Sequence, residues 1–403
     1  MKMQKRFVMV GTIALYFAIC LEILIMISPF AGFFYAVFNP FLLLVSGNPA
    51  TRWLSAFFLP HLVIPSDPFL IALRVAGSVL LVAGLGLFLL CAVMVYSAKF
   101  RRRGAVVGGP YRVIRHPQYL ALAVCGTGLA ILWPRILTAA LWCAMILAYY
   151  WLAKDEERRM VAAHPEEYEA YRQRTGMFLP PSLERRILPP SATGRGLAFV
   201  LLTGLAMGAV FGLRTYTIRH LTLWSADNVT AIAILPEDGL KMAHRMADIL
   251  AMEEVRRRLQ PESRYLVYVV PTDYIMQGLI ADTGGDWRLY QHHHSWAMIT
   301  DWIFHPFRHL RQGHRAMAGA GHHPHPGMTP SAEHPGPGAT RRLIVLRLEN
   351  VPLTASPFAD FALGVHRVPE LFFDVDLHQG QLVNLREVPH TTTGWGEVPT
   401  PTF

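Results

Sequence analysis

The chain has 403 residues, of which 52% are hydrophobic and only 16% charged, and it carries a formal net charge of +9. That length has room for two or three domains, and an apolar excess concentrated in the N-terminal half excludes an ordinary soluble protein. Much of the Lys and Arg flanks apolar runs, where it sets topology and meets anionic lipid, so the positive charge does not argue for a nucleic-acid partner and none is expected. The four cysteines, Cys20, Cys91, Cys125 and Cys143, all fall in apolar segments. They read as free core thiols, and the second half of the chain can form no disulfide.

The first apolar run, Phe7 to Ile27, follows Lys2, Lys5 and Arg6 and is long enough to cross a bilayer core. Its length, the intramembrane Glu22 and the lack of a small-residue cleavage site favour a retained helix over a signal peptide. Residues 28 to 68 are rich in aromatics and proline and read as interfacial or re-entrant. A second span runs from Val75 to Val95 and is followed by Lys99, Arg101, Arg102 and Arg103, a bias that places residues 98 to 117 in the cytoplasm. Leu120 to Leu132 and Ile136 to Leu152, parted by Trp133-Pro134-Arg135, form a tight intramembrane hairpin whose two feet return to that same side.

Residues 153 to 195 are amphipathic, charged and punctuated by proline. Then 196–213 reads as a final transmembrane helix with Gly204, Gly208 and Gly212 at four-residue spacing. Such a face suits packing within the bundle or a homodimer contact. This count of spans makes 214–403 extracytoplasmic. That region reads as a small α/β domain: strands at Val229 to Leu235 and Tyr265 to Val270 around a helix from Leu240 to Leu259 suit a βαβ unit. Arg342 to Leu348 adds a strand, and Leu371 to Leu377 and Gln381 to Val388 form a hairpin turned by His378-Gln379-Gly380. Between these groups lies a His/Gly/Pro-rich loop, 311–340. The fold class expected is therefore mainly α, a multi-span helical membrane bundle of residues 1–195 followed by a smaller α/β extramembrane domain.

The chemistry is concentrated beside the cationic loop. Gly109-Pro110-Tyr111-Arg112-Val113-Ile114-Arg115-His116-Pro117-Gln118-Tyr119 precedes the hairpin; Asp155-Glu156-Glu157-Arg158-Arg159 follows it, then His164-Pro165-Glu166-Glu167-Tyr168, Tyr171 and Met177-Phe178-Leu179-Pro180. A hairpin that leaves and re-enters one face brings its feet together, so residues forty apart can line one pocket. As an ordered set these motifs resemble the isoprenylcysteine carboxyl methyltransferase and phospholipid methyltransferase family of integral-membrane enzymes, over roughly residues 70 to 185. Gln118 and Ala121 depart from it, standing where a small polar residue and a glycine often occur.

The resemblance implies an S-adenosylmethionine-dependent methyltransferase module in 1–195, in an integral membrane protein of the bacterial inner-membrane kind. Its partner would be a membrane lipid or other lipophilic acceptor. It assigns Arg115, His116, Pro117, Tyr119, Glu156 and Glu157 to the cofactor site, which Tyr111 joins on its chemistry, and Arg115 and Glu157 are the expected catalytic residues. The residue types suit that ligand. Arg115 can pair with a carboxylate by two parallel hydrogen bonds, Glu156 or Glu157 can accept from an ammonium or ribose hydroxyl, and Tyr111 or Tyr119 can face a cation. No glycine-rich strand-to-helix turn of the dinucleotide-binding kind occurs in the first 200 residues; Gly84 and Gly86, and Gly126 and Gly128, lie inside apolar runs where helix packing is the expected role.

Histidines crowd the C-terminal half, including His292-His293-His294 and His322-His323-Pro324-His325. Without Cys or a fixed acidic partner they read as a solvated loop, and no metal site is assigned. The alternative reading of the whole chain is a non-catalytic membrane anchor that carries a His-rich metal-binding or sensing domain.

Overall fold

The computed structural model describes residues 48–61, 63–101, 106–271 and 340–387, and in the N-terminal stretch Phe17, Cys20, Leu21, residues 24–30 and Val45. Most of the first apolar run, Glu22 included, lies outside the described residues, as do the His-rich tracts and nearly all of the 311–340 loop. The chain divides into two units: 1–37 with 73–210, and 38–72 with 211–403.

The first unit is helical: α1 (Pro68–Phe100) runs into it, and α2 (Pro117–Leu132), α3 (Ile136–Ala163), α4 (Pro165–Arg174) and α5 (Pro181–Ile187) lie within it, followed by α6 (Ala192–Arg219), which begins here. Among the described residues α1, α3 and α6 are long and apolar enough to cross a membrane. With 33 residues, α1 spans about 50 Å at 1.5 Å per residue, more than the ~30 Å hydrocarbon core requires. Val79, Val82, Leu89 and Val93 are each more than half exposed along it, an apolar surface that a soluble helix would have to cover and that suits contact with lipid. At 16 residues α2 reaches only about 24 Å.

Glycines set how closely α1 and α2 approach. A Cβ on Gly84 would fall 2.4 Å from the Cys125 backbone nitrogen, and one on Gly128 would fall 2.3 Å from that of Leu81. Both contacts are with backbone, so the two helices cross at a separation only glycine allows. Gly86 faces open space. Packing between α2 and α3 centres on Tyr119, Leu122, Leu129, Met145, Tyr149 and Ala153, and the Trp142 indole donates to the Ala123 carbonyl across the hairpin. The sequence expectation for Gly204, Gly208 and Gly212 is a close contact, but a Cβ on any of the three meets nothing within 4 Å among the described residues.

Among its described residues the second unit holds an open six-stranded sheet in the order β1 (Leu223–Ala226), β2 (Val229–Ala233), β3 (Arg264–Pro271), β4 (Thr340–Glu349), β5 (His366–Asp376), β6 (Gln381–Glu387). Only β2 and β3 are parallel, which is what a helix between them permits. That helix, α7 (Asp238–Ala251), buries Met242, Met246 and Ile249 on one face of the sheet. It stops short of Leu259 because Met252 is extended (φ −57°, ψ 132°), and a separate turn, α8 (Glu253–Arg256), follows. The sequence reading also passed over β1. The β5–β6 hairpin turns at Gly380 in the left-handed region, φ +68°, where glycine carries no steric penalty.

The opposite sheet face buries Ile232, Leu266, Tyr268, Ile344 and Leu346 together with Phe57 and Val63. Residues read from sequence as interfacial are thus core residues of the strand unit. Arg214, itself buried, donates to the carbonyls of Phe57 and Phe361 and helps fix that segment.

Candidate functional site

The site is assembled at the feet of the α2–α3 hairpin. A turn of 3-10 helix, Gly109–Arg112, begins with Gly109 at φ +57° and places Tyr111 in the interior. Residues 113–116 then run beside the 176–177 segment. Ile114 and Gly176 form a parallel bridge, the Arg115 N–H donates to Gly176 O at 2.8 Å and the His116 N–H to Met177 O at 3.1 Å. Gly176 is required where it stands, since a Cβ would lie 1.8 Å from the Leu179 carbonyl oxygen. The following turn is held by the Glu184 carboxylate, which accepts from the backbone N–H groups of Met177, Phe178 and Leu179. Pro117 starts α2, where its missing N–H costs nothing.

His116 is buried at the α2 N-terminus, with Nδ1 3.2 Å from Glu156 Oε2 and Nε2 3.8 Å from Glu157 Oε1. Neither ring nitrogen makes an aligned hydrogen bond among the described residues, so these are contacts of charge rather than of directed bonding. Burial opposes the imidazolium, and the contacts with Glu156 and then Glu157 outweigh it, so His116 titrates above its ordinary range. Burial, reinforced by the Glu157 charge, pushes the Tyr168 hydroxyl up to about 12.

The adjacent carboxylates have different tasks. Glu157 is buried and accepts from Arg115 Nε at 2.7 Å and Lys154 Nζ at 3.2 Å. Glu156 is one-third exposed, and its carboxylate accepts from the Tyr119 hydroxyl. Consecutive residues on a helix point about 100° apart, which is why one faces the protein and the other the cavities.

Arg115 is also largely committed. Besides Glu157, its guanidinium donates through Nη1 to the carbonyls of Arg172 and Thr175. A two-bond fork to a ligand carboxylate, expected from the sequence, would need one of those bonds to break; Nη2 is the guanidinium nitrogen that makes no hydrogen bond among the described residues. Arg115 therefore braces the 172–177 segment against the hairpin.

Two cavities adjoin here. One, of about 480 Å³, is lined by Lys99, Tyr111, Arg115, His116, Glu156 and Tyr171, among others. The other, of about 360 Å³, is lined by Ile25, Met26, Cys91, Ala92 and Leu152 on its apolar side and by Tyr119 and Arg159 on its polar side. Val95, Tyr111, Gln118, Glu156 and Met160 belong to both. Both volumes lie in the range of small-molecule sites, roughly 300–1,000 Å³.

Of the residues expected at the site, Tyr111, Arg115, His116 and Glu156 line the first cavity and Tyr111, Tyr119 and Glu156 the second, whereas Glu157 and Pro117 line neither. Sequence reasoning missed Gln118, whose Oε1 accepts from the Tyr111 hydroxyl at 3.1 Å, and Glu184. The signal for Gln118 was its departure from the usual small residue. Nothing in the spacing marks Glu184.

No curated protein and no solved structure matches the chain. A family model described as phospholipid methyltransferase matches residues 69–167, so what the chain shares with that family is α1, the hairpin and the motif residues from Tyr111 to Glu157.

Proposed function

We propose that this chain is an integral-membrane, S-adenosylmethionine-dependent methyltransferase acting on a lipophilic acceptor, either an isoprenylcysteine-type carboxylate or a lipid amine. The observation that carries the reading is a cavity offering both signs of charge that shares a wall, Glu156 included, with a largely apolar one at the end of the matched hairpin. The donor set suits the ligand. Glu156 accepts from an ammonium or ribose hydroxyl, and the buried His116 nitrogens, which lack aligned partners, can bond to its polar atoms. Lys99 and Arg115 line the same cavity and would meet its carboxylate, and Tyr111 would offer a face to its cationic centre.

When bound, S-adenosylmethionine supplies a methyl group on a sulfonium, which bonds to the acceptor atom as its carbon–sulfur bond breaks and S-adenosylhomocysteine departs. The residues then have chiefly to align and to exclude water. For an amine acceptor, Glu156 with His116 beside it takes the ammonium proton before attack; a carboxylate acceptor needs no base. The charge bias of Lys99, Arg101, Arg102 and Arg103 in the sequence supports a site at the cytoplasmic surface.

Calorimetric titration of S-adenosylmethionine into the full chain in lipid nanodiscs tests the proposal. Saturable binding is expected, weakened about fivefold or more by Glu156→Gln and by His116→Ala, since a lost polar partner in a partly desolvated site costs about 1–3 kcal/mol. Absence of saturable binding to the wild-type chain overturns it.

A further inference from the structure

The two cavities share five lining residues, Val95, Tyr111, Gln118, Glu156 and Met160. The polar members of that shared set are Tyr111, Gln118 and Glu156. Tyr111 is buried, and its backbone is fixed from behind by the Tyr171 hydroxyl, which donates to the Tyr111 carbonyl at 2.6 Å. Its own hydroxyl donates to Gln118 Oε1 at 3.1 Å, and the nearby Cys91 lines only the apolar cavity. The Gln118 side chain, projecting from the first turn of α2, is long enough to meet that hydroxyl; a side chain one methylene shorter would not reach as far. Val95 and Met160 complete the wall with flexible or apolar groups that offer no directed bond.

We propose that the Tyr111–Gln118 hydrogen bond is a specificity-determining partition, closing the polar cavity that takes the methyl donor from the apolar cavity that takes the acceptor's alkyl chain. The assignment of the two ligands rests on the methyltransferase reading above; the partition itself rests on the geometry alone. With the bond made, a water-borne cation in the polar cavity is kept from the apolar one, and Glu156 is left as the polar contact through which the two ligands' reacting ends can meet. Gln118 thereby limits how bulky an acceptor head group can be: the space beside Glu156 is what the Gln118 amide does not fill.

Cys91 reports on this wall. The full chain in nanodiscs is treated from the aqueous phase with a small cationic methanethiosulfonate reagent, and modification of Cys91 is followed by peptide mass spectrometry, because the thiol's reactivity depends on access as well as ionisation. Gln118→Ala, which removes both bulk and acceptor, and Gln118→Met, which keeps bulk and removes the acceptor, are each expected to speed Cys91 modification about tenfold, the equivalent of one lost hydrogen bond. Saturating S-adenosylmethionine should slow it again in both variants. Unchanged Cys91 modification in both variants overturns the partition. Faster modification that S-adenosylmethionine does not slow, with no calorimetric binding, retains the partition and overturns the methyltransferase reading instead.

Discussion

Replacing Glu157 by Gln separates bracing from ligand binding. The Glu157 and Arg115 side chains are only 6% and 9% exposed, and their contact is 2.7 Å. Removing one charge of a buried pair costs about 3–5 kcal/mol, most of it the uncompensated charge left behind. Arg115 would keep the carbonyls of Arg172 and Thr175, and Lys154, one-third exposed, could turn to water. The lower end, about 3 kcal/mol, is therefore expected, which for a unit of this size lowers the melting temperature by about 6–12 °C. Glu156→Gln is the control: its carboxylate is partly exposed and belongs to no such brace, so the expected loss is about 1 kcal/mol or 2–4 °C. Thermal unfolding of the full chain in nanodiscs, followed by intrinsic tryptophan fluorescence, measures both. The reasoning is refuted if Glu157→Gln melts no lower than Glu156→Gln.

The helix crossing predicts that Gly128→Ala destabilises the bundle by about 1–3 kcal/mol through forced separation of α1 and α2, whereas Gly86→Ala, facing open space, is neutral or slightly stabilising in the same melting assay. The raised His116 pKa fixes a sign: its charged contacts stabilise the folded chain fully below its ordinary value of 6.5, and this contribution is lost as pH rises through the raised folded-state value. The stability margin of wild type over His116→Gln should therefore shrink on going from about pH 6 to pH 9 in melting experiments, and a margin that grows contradicts the contacts with Glu156 and Glu157. A reporter fused after Pro180 should read cytoplasmic and one after Phe403 extracytoplasmic; a cytoplasmic C-terminus would contradict the span count.

Much of the architecture was legible because its determinants are local. Eighteen or more apolar residues between charged flanks define a span wherever they occur, and Gly380 after a β-branched and aromatic run marks a hairpin with little ambiguity. The role of 38–72 was not legible for the opposite reason. Phe57 and Val63 are apolar and lie near proline, which suits a bilayer interface as well as a sheet face, and their partners Ile232, Leu266 and Ile344 are more than 150 residues away. The stop at Met252 was hidden too, because methionine is a good helix former and only its backbone angles end α7.

The site was legible as a set of residues but not as a division of labour. Motif order brought Arg115, His116, Glu156 and Glu157 together, since a hairpin must return its feet to one side. Which of two neighbouring glutamates meets the cavity depends on the rotation of α3 about its axis, and that is fixed by Tyr149 stacked on Tyr119 and by Ala153 in the same buried cluster, two turns and one turn earlier. With those residues turned inward, Ala153 and Glu157, four apart, share the buried face, and Glu156 is carried round toward the cavities. The same rotation hands Arg115 to Glu157 and leaves Glu156 with the Tyr119 hydroxyl and His116. The division between Glu156 and Glu157 thus depends on how α3 packs as well as on the motif residues themselves, and motif order alone does not carry it.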